Sequence, residues 1–186
     1  MAKAISSAPR MTVDEFLAWL EDGPEGARYE LVAGEVVEVT PEPAAHARIK
    51  GQVWLALWNS IESAALPCEA LADGMTVKID EHTAYEPDAV VHCDETLPDD
   101  AIIVPAPVIV IEVLSPTTKA HDAGAKLAGY FRLPSVRHYL LVRTEQPTVI
   151  HHRRGDADLI ETRIVTAGTL DLDPPGIVLD LDRIYG

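Results

Sequence analysis

Basic residues are scarce in this sequence. Fifteen Lys and Arg stand against 30 Asp and Glu, a formal net charge of -15. Phosphate binding relies on Lys and Arg, so this balance excludes a protein that coats nucleic acid with its whole surface. Long apolar runs are missing too: no stretch approaches the roughly 18 consecutive apolar residues of a membrane span. Residues 1–10, MAKAISSAPR, lack the apolar segment of a signal peptide, and a cytoplasmic protein is expected. Cysteine is limited to Cys68 and Cys93, too few and too far apart for a zinc site. In a reducing cytosol both are expected as free thiols. The chain shows no internal repeat and no low-complexity segment, and no helix-turn-helix or zinc-finger pattern supplies sequence-specific recognition.

What the chain does have is Pro107 to Leu114, PVIVIEVL. Val108, Ile109, Val110, Ile111 and Val113 show no polar alternation, the pattern of a strand buried on both faces at the middle of a sheet. One carboxylate, Glu112, interrupts them. An ionised Glu there is costly unless it is paired, protonated or bound to a metal. A second short apolar strand follows Glu86-Pro87-Asp88. With a period of two, Asp88, Val90 and His92 share one face, as do Val108, Val110, Glu112 and Leu114. If the strands are neighbours, the two carboxylates converge. The alternative is a strand-opening Asp and a salt-bridged core Glu.

The 186 residues fit one domain, 11–186, after a disordered start over 1–10. Thr12 to Leu20 reads as an amphipathic helix with capping-box spacing from Thr12 to Glu15, stopped by Gly23-Pro24. Arg28–Val32 and Glu35–Val39 read as a hairpin about Ala33-Gly34. Within it Glu30 has the pattern of a solvent-facing position. Ile49, Val53, Leu57 and Ile61 mark a helix over about 44–65 whose apolar stripe packs on the sheet. His46 near its start reads as a capping or packing residue. Cys68–Leu71 and Met75–Ile79 read as strands joined at Asp73-Gly74. After the Glu112 strand, Ser115 and Pro116 open a helix over about 117–131. On it Lys119, Asp122, Lys126 and Tyr130 line one face, so Lys126 either reaches back to Glu112 or pairs with Asp122 at the surface. Strands over 137–142, 148–152 and 159–165 and a short apolar segment over 177–181 follow. The order predicts a mixed α/β domain.

Charge divides at Glu112. Cys68 to Glu112 holds eleven acids against Lys78, whereas Val113 to Thr144 holds Lys119, Lys126, Arg132, Arg137 and Arg143 against Asp122. An acidic cation site beside a phosphate-tolerant surface fits this division, as does plain solvated charge. Asp88, Glu112 and Lys126 offer hard oxygens and an ammonium, a set suited to Mg²⁺ or Mn²⁺ and to phosphodiester hydrolysis.

The segments YELVAGEVVE (29–38), EPDAVV (86–91), VIVIEVLSPTT (108–118) and HDAGAKLAGYFRLPSVRHYLLV (121–142) resemble the Uma-two family. These are bacterial proteins assigned as endonucleases of the restriction-endonuclease-like fold, named for its PD-(D/E)XK motif. The resemblance spans about Met11 to Tyr185. It implies a mixed central sheet flanked by helices, a Mg²⁺- or Mn²⁺-dependent nuclease acting on nucleic acid, most readily DNA, and no membrane partner. By it Pro87-Asp88 is the PD element and Glu112 the (D/E) element, both metal ligands. The usual lysine position two residues on is Leu114, and the lysine resembles one moved to the next helix, Lys126. Glu30 resembles the extra acid that such nucleases bring from an N-terminal element, and His46 matches a recurrent family position. Because a duplex has two strands, a homodimer is expected. The competing readings are a non-catalytic nucleic-acid-binding or assembly protein on this scaffold, and a metal-dependent hydrolase of small phosphoesters.

Overall fold

Local signals produce several elements where they stand. The computed structural model describes residues 10–21, 26–114, 120–157 and 159–186. The expected disordered start up to residue 9, the Gly23-Pro24 stop and the 115–119 helix start with Lys119 lie outside these residues. Glu15 N–H donates to Thr12 Oγ1 at 3.2 Å and Thr12 N–H donates to Glu15 Oε2 at 2.8 Å, a reciprocal cap that opens α1 (Val13–Glu21). β1 (Arg28–Val32) and β2 (Glu35–Val39) pair antiparallel through Ala33 and Gly34, whose φ angles are 50° and 83°. Two positive φ angles are what a two-residue hairpin turn demands. α2 (Ala44–Ala64) buries Val53, Leu57 and Ile61.

The remaining elements are β3 (Cys68–Ala72), β4 (Val77–Asp80), β5 (Thr83–Tyr85), β6 (Ala89–Cys93), β7 (Pro107–Leu114), α3 (Ala120–Tyr130), β8 (His138–Arg143), β9 (Val149–Arg154), β10 (Ile160–Val165), β11 (Thr169–Leu172), β12 (Ile177–Asp180) and α4 (Leu181–Tyr185). β7 lies inside a six-stranded sheet of order β10-β9-β8-β7-β6-β3, antiparallel to β6 and parallel to β8. A parallel pair needs a crossover, and α3 supplies it. A four-stranded sheet has the order β2-β1-β5-β4, and β11 and β12 form a separate ribbon.

One face of the large sheet, with Ile109, Ile111 and Leu140, packs on Val53 and Leu57 of α2 and on Leu172 and Leu179 of the ribbon. Each such fully buried side chain contributes about 1.5–3 kcal/mol. The other face, with Val90, Val110 and Tyr139, packs on Tyr130 of α3 and on Val77 and Tyr85 of the small sheet. Arg154 ties down the end of α3: Nη2 donates to Phe131 O at 2.8 Å and Leu133 O at 2.9 Å, and Nε donates to Val136 O at 2.9 Å.

Two expectations are overturned. β3 and β4 do not form a hairpin about Asp73-Gly74; β3 pairs with β6 and β4 with β5, in different sheets. The Asp-Gly signal marks where the chain turns and says nothing about which strand it then meets. Cys68 and Cys93 are not free thiols but form a disulfide. Their 25-residue separation hides the β3–β6 register, which sets Cys68 directly opposite Cys93.

His138 and His151 form a buried pair, 0% and 2% exposed. His138 Nε2–H donates to Pro174 O at 2.9 Å, so in the neutral ring Nδ1 accepts from His151 Nε2–H, also at 2.9 Å. Burial first, then nearby positive groups, lower His138 to about 4 and His151 to about 3. The unfolded rings, near 6.5, bind protons more tightly than the folded ones. Their contribution to stability is therefore complete above about pH 6.5 and is lost as pH falls toward the folded values. We expect the melting temperature to fall between about pH 7 and pH 5, and the double variant His138→Phe, His151→Leu to flatten that fall. Melts with unchanged pH slope in the variant would remove the pair as its source.

Candidate active site

The alternation of β7 sends Ile109, Ile111 and Val113 to the α2 face and Val110 and Glu112 to the α3 face. The register Ala89↔Ile111 sets Asp88, one residue before β6, opposite Glu112. The Asp88 carboxylate accepts from Val113 N–H at 2.6 Å through Oδ2 and meets Lys50 Nζ at 3.0 Å through Oδ1. Glu112 Oε1 accepts from Lys126 Nζ at 3.0 Å and from Tyr130 Oη at 2.8 Å. Lys126 and Tyr130 stand four apart on α3, so one helix face delivers both donors. Lys126 Nζ also donates to Glu30 Oε1 at 2.9 Å, and the same oxygen accepts from Glu86 N–H at 2.9 Å.

Close approach of α3 makes this possible. A Cβ at Gly129 would lie 2.8 Å from the Tyr85 ring, so only glycine lets the helix sit there. The Tyr130 ring packs against Tyr85 and Tyr139, with centroids 5.3 and 5.1 Å away. Lys126 Nζ lies 5.6 Å from the Tyr85 ring centroid.

A second polar group meets the first at Asp88. Lys50 Nζ, on α2, contacts Glu42 at 3.0 Å, Asp73 at 2.6 Å and Asp88 at 3.0 Å. Arg28 bridges Asp73 and Glu86. The His46 ring hydrogen-bonds through Nε2 to Val113 O at 2.5 Å and faces Glu42 through Nδ1. Both backbone polar groups of Val113 are thus held by side chains of the site.

Burial tunes these groups. Desolvation raises the Glu112 carboxyl to about 7, with Asp88 and Glu30 pushing the same way and Lys126 pulling against them. Desolvation works against the Lys126 ammonium, but Glu112 and Glu30 outweigh it and hold its pKa above the ordinary value. Lys50 is likewise held up by Asp73, Asp88 and Glu42 against its own burial.

Of the expected site residues, Glu30, Glu112 and Lys126 share one hydrogen-bonded set, and Asp88 sits on the adjoining strand end. Glu30 does not face solvent. It is 8% exposed, because the small sheet folds its inner face over α3 and β7. Lys126 is 8% exposed and reaches back to Glu112, with Glu30 as its second described partner. Nothing is described for the side chain of Asp122. Among the described residues, the acid and His ligand atoms close enough for one ion belong to Glu42, His46 and Asp88, within 4.8 Å of one another. Lys50, Glu42 and Tyr130 as a Glu112 donor were not expected from the sequence. For Lys50 the signal is spacing: 46 and 50 stand four apart and continue the buried stripe of Val53, Leu57 and Ile61 toward the start of α2.

An α/β core with acids on adjacent central strands and a lysine on the crossover helix defines a restriction-endonuclease-like fold. A crystal structure from Anabaena variabilis ATCC 29413, described as "a putative nuclease belonging to DUF820", superposes with a TM-score of 0.73 at 18% identity, over 94% of this chain and 97% of that one. "Uncharacterized protein slr1290" of Synechocystis sp. (strain ATCC 27184 / PCC 6803 / Kazusa) is 26% identical over 179 residues, 95% of this chain and 92% of that protein. Residues 13–182 match the model of the Uma2 family, described as "Putative restriction endonuclease", and the chain belongs to that family.

Removing the Lys126 ammonium leaves buried Glu30 and largely buried Glu112 without their shared cation. Lys126→Met is expected to cost about 3–5 kcal/mol of stability. The folded Glu112 pKa lies above the unfolded 4.5, so its ionisation lowers stability as pH rises through this range, and losing Lys126 enlarges that loss. Denaturant titrations should therefore show a larger deficit at about pH 8 than at about pH 6. Equal deficits would mean that Lys126 does not stabilise an ionised Glu112.

Proposed function

We propose that the protein is a metal-dependent endonuclease that hydrolyses phosphodiester bonds of nucleic acid, DNA in the first instance, with Mg²⁺ or Mn²⁺ as cofactor. Asp88 and Glu112 are the metal ligands in this reading, with Lys126 and Glu30 beside them. The observation that supports it most is the buried Lys126 ammonium held between Glu30 and Glu112, next to Asp88 in a chain of this family.

The donor set fits a hard divalent cation. Asp88 and Glu112 offer carboxylate oxygens, and both cysteines are consumed in the disulfide. Both described hydrogen bonds to the Glu112 side chain end on Oε1. When bound, such an ion lowers the pKa of a coordinated water and neutralises phosphate charge. The chain's own groups supply position and charge. Lys126, whose pKa is raised, keeps its proton; it acts as a fixed donor toward an anion and not as a base. Tyr130 Oη fixes Glu112, and the Val113 N–H fixes Asp88.

A specific observation favours the non-catalytic reading: Lys50 already pairs with Asp88 and Lys126 with Glu112, so each proposed metal ligand has a cation partner without an ion. A cytoplasmic location belongs to this reading through the absence of a signal-peptide segment in residues 1–10, and the Cys68–Cys93 disulfide counts against it, since a disulfide is uncommon there.

Mn²⁺ is titrated calorimetrically into the wild type, Asp88→Ala and Glu112→Gln, and plasmid nicking and RNA cleavage are followed on the same samples. The nuclease reading expects metal binding in the wild type and at least about 100-fold slower nicking in both variants, with circular dichroism unchanged. Nucleic-acid binding without product formation would establish the scaffold reading.

A further inference from the structure

β10 is the outer strand of the large sheet on the side away from β3. Among the described residues nothing pairs with its outer edge. It is nevertheless apolar: Ile160 and Ile164 are 42% and 68% exposed, and Leu159 just before it is 65% exposed. An edge of this kind is an open template for another strand unless something covers it.

The backbone alternation says which groups are open. Leu159 O accepts from Gly155 N–H, and Arg154 N–H turns the other way, to Arg137 O. The positions of β10 bonded to β9 are therefore Glu161, Arg163 and Val165, and the N–H and C=O groups of Ile160, Thr162 and Ile164 point outward.

The side chains say what fits. In an antiparallel pairing of β10 with a second copy of itself, centred on Thr162, Glu161 faces Arg163 of the other copy twice. On the opposite face Ile160 meets Ile164 of the other copy twice. Among the described residues Arg163 has no ion pair, while Glu161 is bonded only to Arg153 and can accept a second guanidinium. β4 has a similar order of charges, but its Lys78 and Asp80 are already taken by Asp14 and Arg132.

We infer that β10 is a self-association edge: two copies of this chain join β10 to β10 and extend the large sheet through a two-fold axis at Thr162. The inference goes beyond the nuclease reading and does not need it. β8 and β9 separate this edge from β7, so the candidate active site stays open in the pair.

The test is the mass of the full chain by light scattering and sedimentation at about 100 µM and over dilution. The expected mass is twice the 20.2 kDa of one chain. Glu161→Lys and Arg163→Glu each place like charges opposite one another in this register. Each is expected to weaken the dimer at least about tenfold. Mixed one to one, the two variants should pair again, because each altered residue then faces its opposite charge. Thr162→Pro removes an outward N–H that no strand within the chain uses, and should also give monomers. Folding of every variant is checked by circular dichroism, and Mn²⁺ binding should be unchanged, which keeps this result separate from the nuclease test. A monomeric wild type, or a dimer that both charge variants leave intact, overturns the proposal. So does failure of the mixture to reassemble from folded variants.

Discussion

A carboxylate in the middle of a buried strand has to be answered by the structure around it, and most of what is unusual in this molecule answers Glu112. The side chain cannot shed its charge into solvent, so a cation and a hydroxyl come to it. Both ride on the helix that the parallel β7–β8 pair requires in any case. The cation brings its own need for a second anion, which Glu30 meets from the small sheet. One buried charge thereby pulls a strand, a crossover helix and a hairpin into register. The arrangement stabilises little by itself, since desolvation offsets most of the Coulomb gain, but it strongly penalises any packing in which one partner is missing.

The other half of the site follows from the end of β7. Val113 gives its N–H to Asp88 and its carbonyl to His46, so the strand end is clamped from β6 and α2 at once. Lys50 and Asp73 carry the clamp outward to Arg28 and Glu86. The acids are thus held before any ligand arrives, which is the condition for a site that acts by electrostatics without reorganising.

How much of this was readable in the chain depended on the range of each signal. β7 was legible to its end residues because a continuous apolar run allows few other structures, and the Ala33-Gly34 hairpin because its turn chemistry is local. Asp88 and Glu112 stood out as acids among apolar neighbours, and Lys126 through its place on the following helix. Glu30 was misread by its own alternation, because burial of β1 comes from a sheet packed across it and not from its sequence neighbours. The cysteine pairing was hidden for the same reason: it depends on the β3–β6 register, which no local pattern encodes. Three-residue β5 is too short to carry a periodicity at all. Lys50 was passed over because a lysine on a helix reads as solvated until the three acids around it are seen together.

The separation of the contacts along the chain bears on how the protein is made. Glu112 and Lys126 lie 14 residues apart, whereas Glu30 and Lys126 lie 96 apart. Loop closure makes the first contact fast and the second slow. During synthesis the hairpin that carries Glu30 leaves the ribosome long before its partner exists. A growing chain therefore passes through a long interval in which the three charges cannot meet, and the nascent protein holds no assembled site until α3 has emerged and the earlier hairpin has closed over it.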